Sequence, residues 1–248
     1  MQPTYTSTHN PRIEAGGPGS FSTSELDAIE RLLTERAAEQ KASSYFPDDG
    51  PFRRELYPKH LAFFKGGAVH HERLFMAANR SGKTVCGAYE MALHLGGVYP
   101  LWWEGRRFHA SPINAWAAGK TTETTRDIVQ LALCGPPEKM GTGMIPADLI
   151  VDYRFKPNTN QSLDWISVRH VTGRVSWLGL KSYDQGRRAF EGTEKDVIWL
   201  DEEPPMAVYT ECLTRTATVN GIIFDTFTPL EGATDMVMGF MAPGVERV

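Results

Sequence analysis

Leu74-Phe75-Met76-Ala77-Ala78-Asn79-Arg80-Ser81-Gly82-Lys83-Thr84 is the stretch that decides how this chain reads: an apolar run, a short polar turn, then Gly-Lys-Thr. A phosphate-binding loop needs a strand, a tight turn whose amide hydrogens face inward, a lysine for the β and γ phosphates, and a hydroxyl for magnesium at a helix start. All four are present: the strand runs from Leu74, the turn spans Ala77 to Gly82, and Lys83 and Thr84 open a helical stretch that stops at Gly96-Gly97. Two residues depart from the pattern. Ala77 stands where the first glycine is expected, which is tolerable where that position does not need a positive φ, and Arg80 sits inside the turn. Gly-Lys-Thr alone is equally a plain helix start; its place after an apolar strand favours the loop.

A second stretch supplies the opposite charge. Asp196-Val197-Ile198-Trp199-Leu200 reads as a buried strand and runs into Asp201, Glu202 and Glu203. Three adjacent acids at a sheet's carboxyl edge repel one another unless a cation neutralises them. In phosphate-loop ATPases such an aspartate holds the magnesium hydration shell and the next glutamate polarises the attacking water; Asp201 and Glu202 fit those positions. Hydrolysis also needs positive charge against the γ-phosphate, for which Arg80, Arg187 and Arg188 are candidates, in cis or from a neighbouring subunit. A solvated surface charge is the commoner fate of any single arginine.

Between these stretches short β-rich runs alternate with helical ones, so the sequence predicts an α/β domain with a mainly parallel sheet and crossover helices. Further strands are expected at Ala115–Ala118, entering a helix capped near Thr122, and at Ile222–Phe227. Ser167–Val171 and Arg174–Leu180 flank Thr172-Gly173 and read as a small hairpin inserted beside the core. Ahead of the domain, residues 1–21 are too rich in Pro, Gly, Ser and Thr to order themselves. Ser22 to Glu25 offers a capping box for a helix over Glu25–Gln40. The expected organisation is a flexible arm (1–21), a helical appendage (22–60) and the phosphate-loop domain (61–248).

A chain of 248 residues that is 41% hydrophobic can bury a sizeable core. The net charge of -4 leaves no global basic field, so nucleic acid would have to meet a local patch. Cys86, Cys134 and Cys212 have no paired spacing, and no apolar run reaches the roughly 18 residues of a membrane span. His70-His71-Glu72 lacks further ligands at metal-site spacing and reads as a turn. Trp102-Trp103-Glu104-Gly105-Arg106-Arg107 mixes aromatics and arginines as nucleic-acid surfaces do, with packing of the two tryptophans the simpler reading. Arg53, Arg54 and Lys59 form another small basic group.

Ala77 to Thr84, Gly186 to Pro205 and Thr226-Phe227-Thr228-Pro229-Leu230-Glu231-Gly232, in this order, resemble the ATPase half of the large terminase subunit of tailed bacteriophages. The resemblance spans roughly Leu74 to Gly232 and implies an ASCE/RecA-like P-loop fold with ATP and Mg²⁺ as ligands. It also implies a motor that moves double-stranded DNA into a procapsid as a homo-oligomeric ring, monomeric in isolation, in the host bacterial cytoplasm. The portal protein and the small terminase subunit would be its partners. Carried over by position, Ala78, Asn79, Arg80, Ser81, Gly82, Lys83 and Thr84 would hold the nucleotide, Thr84 and Asp201 the magnesium, and Glu202 would be the catalytic base. Arg187 or Arg188 would reach a neighbour's ATP. Thr226 and Thr228 fall in the family's coupling motif, where a hydroxyl near the γ-phosphate senses hydrolysis. The family's nuclease domain has no counterpart before Val248, so no DNA cleavage is expected of this chain. A helicase or repair ATPase, a small-molecule kinase and a nucleotide-gated assembly module are the alternatives, separable by whether DNA or an acceptor stimulates turnover.

Overall fold

Strands that are buried on both faces read as continuous apolar runs, and two such runs form the centre of this molecule. In the computed structural model, which describes residues 41–242, β6 (Val197–Asp201) and β7 (Ile222–Phe227) are buried at every position. The arm expected over 1–21 and the helix expected over Glu25–Gln40 lie outside the described residues.

Around this pair the chain builds one seven-stranded sheet in the order β1-β7-β6-β2-β5-β4-β3. β1 (Glu72–Met76), β2 (Asn114–Gly119), β5 (Val175–Ser182), β6 and β7 run parallel. β4 (Leu163–Arg169) and β3 (Ile150–Phe155) continue the sheet antiparallel. The β4–β5 hairpin turns where expected but is not an insertion beside the core. β5 pairs with β2 from Asn114↔Trp177 to Gly119↔Ser182, because its alternating Ser176, Leu178, Leu180 and Ser182 are buried on one face and demand a place in the main sheet. β3 carries mostly exposed residues, and its Val151-Asp152-Tyr153-Arg154-Phe155 alternates apolar with polar, a strand signal that the expectations above do not include.

Helix α1 (Pro58–Gly66) precedes β1, crosses residue 60 and buries Phe63 and Phe64 in the same core as Phe46. Helix α2 (Lys83–Gly96) ends on Gly97 in the left-handed conformation and lays Cys86, Ala88, Tyr89, Met91 and Leu95 against one face of the sheet. Helix α3 runs from Thr122 to Cys134, with a π-helical stretch at Thr125–Gln130. Helix α4 (Met206–Ala217) covers the opposite face with Val208, Tyr209 and Cys212, and α5 (Asp235–Phe240) joins it through Met236 and Val237. Trp102 and Trp103 lie among the aromatic rings between α1 and α2, Trp103 buried, in agreement with the packing reading. His71 contacts the Thr216 hydroxyl at 3.2 Å. Among the described residues no helix is long and apolar enough to cross a membrane.

Beneath the core face a buried ion pair ties α2 to β1. Arg73 Nη2 lies 2.6 Å from Glu90 Oε1, and Glu90 also meets His94 Nε2 at 3.1 Å. Nearby, Gly87 on α2 admits the Trp199 indole so closely that an added Cβ would stand 2.3 Å from Trp199 Cε2. Gly87→Ala is therefore expected to cost about 1–2 kcal/mol by overpacking, read as a lower urea midpoint at unchanged slope; an unchanged midpoint would mean that the indole moves freely.

Candidate nucleotide site

β1 delivers the loop Ala77–Gly82 to the N-terminus of α2, at the carboxyl edge of the parallel strands where α/β sheets bind ligands. Within the loop only Arg80 (φ 64°) and Gly82 (φ 86°) adopt the left-handed conformation. Ala77 does not, so a Cβ there is harmless, and its amide donates to Phe227 O at 3.3 Å. Arg80 occupies a strained conformation for a residue with a long side chain, a strain of roughly 1–3 kcal/mol that clusters at functional sites, and its side chain is exposed.

The lysine and the threonine converge with the acidic strand. Lys83 Nζ, nearly buried, donates to Ala78 O at 2.8 Å. Thr84 Oγ1 donates to Asp201, 3.2 Å from Oδ1 and 3.4 Å from Oδ2. Asp201 is buried, and burial raises its carboxyl to about 7, with Glu202 adding to the rise and hydrogen bonds from Thr226 and Thr84 opposing it. A buried carboxylate facing a threonine hydroxyl, with that much of its charge uncompensated, suits a hard divalent cation. The Ser81 hydroxyl, buried in the loop with no hydrogen-bond partner, is an orphan donor that a phosphate oxygen would satisfy. The residues present thus fit both magnesium and a nucleotide phosphate.

The other two acids go separate ways. Glu202 takes the left-handed conformation at φ 69°. Its amide donates to Thr226 O at 3.1 Å, and the Tyr183 hydroxyl is shared between Glu202 O at 2.9 Å and Asp201 O at 3.1 Å. Glu203 accepts a hydrogen bond from Thr234, the N-cap of α5.

The two threonines of β7 and the turn after it divide in the same manner. Thr226 is fully buried: its hydroxyl donates to Asp201 Oδ1 at 2.8 Å and accepts from Trp199 Nε1 at 2.8 Å. It therefore stands behind the aspartate instead of opening toward the loop. Thr228 Oγ1 lies 2.9 Å from both Ala77 O and Asn79 Oδ1, against the loop itself.

Arg187 and Arg188 are not brought to the loop. They occupy a 3₁₀ turn (Arg187–Phe190) packed on α4, where Arg187 pairs with Glu191 at 3.1 Å and Glu211 at 3.6 Å while Arg188 is exposed without an ion pair among the described residues. Residues that sequence reasoning missed complete the site. His60, from α1, hydrogen-bonds the Ser81 backbone, would stand 3.2 Å from a Cβ at position 82, and is lowered in pKa by burial. A lone histidine before the first strand carries no spacing signal. The same holds for Tyr183 and Trp199.

Comparison with known proteins gives a consistent answer. Residues 74–244 match the family model described as "Terminase large subunit, T4likevirus-type, N-terminal". The terminase large subunit of Salmonella phage P22 is 36% identical over 205 residues, which is 75% of this chain and 41% of that protein. Among solved structures, the large terminase of a thermophilic bacteriophage aligns over 69% of this chain and 37% of its own, with a TM-score of 0.45 and 14% identity. The complex of that terminase with ADP aligns over the same shares, with a TM-score of 0.44 and 15% identity. The chain spans about two fifths of the length of the P22 relative. Carrying the family's N-terminal pattern from β1 to α5, it belongs to the phage terminase large subunits.

Proposed function

We propose that this chain is the ATPase motor domain of a viral terminase, hydrolysing ATP to ADP and phosphate to move double-stranded DNA into a procapsid. The observation that carries the reading is the Thr84–Asp201 contact at the mouth of the phosphate loop, tied through Thr226 to the strand that also reaches the loop through Thr228. Ala78 to Thr84 cradle the phosphates, with Lys83 as the point charge on the β and γ groups. Thr84 and Asp201 would hold Mg²⁺, whose charge offsets that of the phosphates. Glu202 orients a water and takes its proton. Arg80 in cis, and Arg187 or Arg188 reaching a neighbouring subunit, would meet negative charge on the γ-phosphate.

Coupling follows from β7. Thr226 hydrogen-bonds the magnesium-side carboxylate and Thr228 the loop, so a change at the phosphates alters contacts at one strand end, and the following turn and α5 feel it. A motor needs such differential contacts in its two nucleotide states. Portal protein, small subunit and a homo-oligomeric ring in the host cytoplasm are the setting that the family supplies, and the domain would be an arm (1–21), an appendage (22–60) and the ATPase body (61–248).

The test is phosphate release from ATP with and without duplex DNA. Turnover should require magnesium, vanish on chelation, rise with duplex, and rise faster than linearly with protein concentration as neighbours supply Arg187 or Arg188. Magnesium-independent turnover would remove the Thr84–Asp201 role, and a rate unaffected by duplex would remove the motor.

A further inference from the structure

Among the described residues, the face of the sheet opposite α2 is covered by α4, α5 and the Arg187–Phe190 turn over β7, β6 and β2, and no described helix lies over β5, β4 and β3. Strand pairing places Arg154, Trp165, Gly179 and Trp116 side by side on that face, with Trp177 and Lys181 two residues away along β5. Ring contacts confirm the placement. Trp165 and Trp177 lie 4.9 Å apart, Arg154 lies 6.0 Å from the Trp165 ring, and Lys181 and Lys195 each set Nζ 4.7 Å from the centre of Trp116. Trp177 remains 47% exposed, so about half of a large indole faces water.

The charges on this strip are unbalanced. Lys156, Lys181 and Lys195 have no ion pair among the described residues, and all three are shifted down, burial first. Lys156 also repels Lys181, and Lys181 and Arg215 repel Lys195, which falls to about 8. Asp164, bridged to Arg154, and Asp184 and Asp196, which accept from the Thr122 and Asn114 amides, offset part of this charge without forming an ion pair with any of the three lysines. Lys195 itself is nearly buried and donates to Thr193 Oγ1 at 2.7 Å and to Glu194 O at 3.1 Å. It sits behind the two more accessible lysines.

We propose that this strip, Trp177–Trp165–Trp116 bordered by Arg154, Lys156 and Lys181, is a docking surface for the sugar–phosphate backbone of duplex DNA. The inference rests on the motor reading and names a place on the chain where the polymer would bear. Charge complementarity selects the occupant: crowded lysines gain from a neighbouring row of phosphates, and indoles pack on sugar edges while the cations meet the phosphates. The surface lies on the opposite face of the sheet from α2 and the core it covers, so DNA there would not compete for the phosphate loop. It abuts the Arg187–Phe190 turn through Trp116 and Phe190, whose rings meet edge-on at 5.7 Å.

The experiment is the salt dependence of binding to a labelled duplex oligonucleotide by the 248-residue chain and by the Lys156→Gln/Lys181→Gln variant, with Lys65→Gln/Lys139→Gln as a charge-matched control. The native chain should bind with quenching of tryptophan fluorescence. The strip variant should lose about two units of the log–log salt slope and about tenfold in affinity near 50 mM salt, with unchanged melting temperature and DNA-free turnover, while the control keeps its slope. An unchanged slope in the strip variant, or an equal loss in the control, overturns the surface but leaves the motor reading intact. Failure of the native chain to bind any duplex overturns the DNA reading itself, and with it this inference. Quenching by a single strand and not by duplex overturns the duplex assignment.

Discussion

Glu202→Gln is expected to lower ATP turnover by about 10²- to 10⁴-fold, the usual contribution of a positioned general base, while nucleotide affinity stays within a few-fold. Glutamine keeps the size and hydrogen-bonding reach of the side chain and removes the basic oxygen. The backbone around it is over-determined: a left-handed φ of 69°, an amide bonded to Thr226 O, and a carbonyl gripped with that of Asp201 by the Tyr183 hydroxyl. Such strain persists where surrounding contacts impose it, so the substitution should leave the corner in place. Phosphate release measured beside binding of a fluorescent nucleotide separates the two quantities. Equal rates in the two proteins would remove Glu202 as the base, and a parallel loss of binding would make it a structural residue of the loop.

Asp225→Asn should stabilise the protein by about 3 kcal/mol at alkaline pH, the scale of keeping a buried carboxyl protonated over about two pH units above its unfolded value. Asp225 lies on the α4 side of β7, fully buried, and neither carboxylate oxygen has a hydrogen-bond partner. Burial pushes its carboxyl well above the usual range, and Glu72 pushes the same way. The sign follows from proton counting. A carboxyl raised in the folded state keeps its proton where the unfolded chain has released it, so stability falls as pH rises through the interval between the unfolded and folded values. Asparagine does not titrate, so the variant's advantage should be small near pH 4, about where an unfolded aspartate titrates, and grow as pH rises. Urea midpoints of both proteins across that range provide the check, and a constant gap would mean that Asp225 finds a partner or water.

Much of the candidate site is legible in the sequence because its signals are local. The loop needs its lysine and hydroxyl at the start of a helix, and a parallel central strand needs an unbroken apolar run before its acids, so Lys83, Thr84, Asp201 and the strands that carry them follow from adjacency along the chain. Ala77 is tolerable in principle and the backbone shows why: its φ is not positive. The sheet's edge is less legible. The Ser167–Leu180 hairpin is readable from its turn, but its partner β2 lies far earlier in the chain, and only burial of one face of β5 determines that they join.

By itself, then, the sequence determined the α/β class, the strand–turn–helix that carries Ala77 to Thr84 and the acidic strand end, since each is written in neighbouring residues with a physical reason for their order. Tertiary structure alone decided what neighbouring residues of one kind do. Thr226 turns inward to hold Asp201 while Thr228 turns to the loop, and Glu202 is fixed in a left-handed corner while Glu203 meets the N-cap of α5 through Thr234. It also brought in His60, Tyr183 and Trp199, and gathered Trp116, Trp165 and Trp177 on one face. A strand's alternation sends successive side chains to opposite faces, but which face meets a carboxylate, a core or water depends on the elements that pack there, and those come from distant parts of the chain.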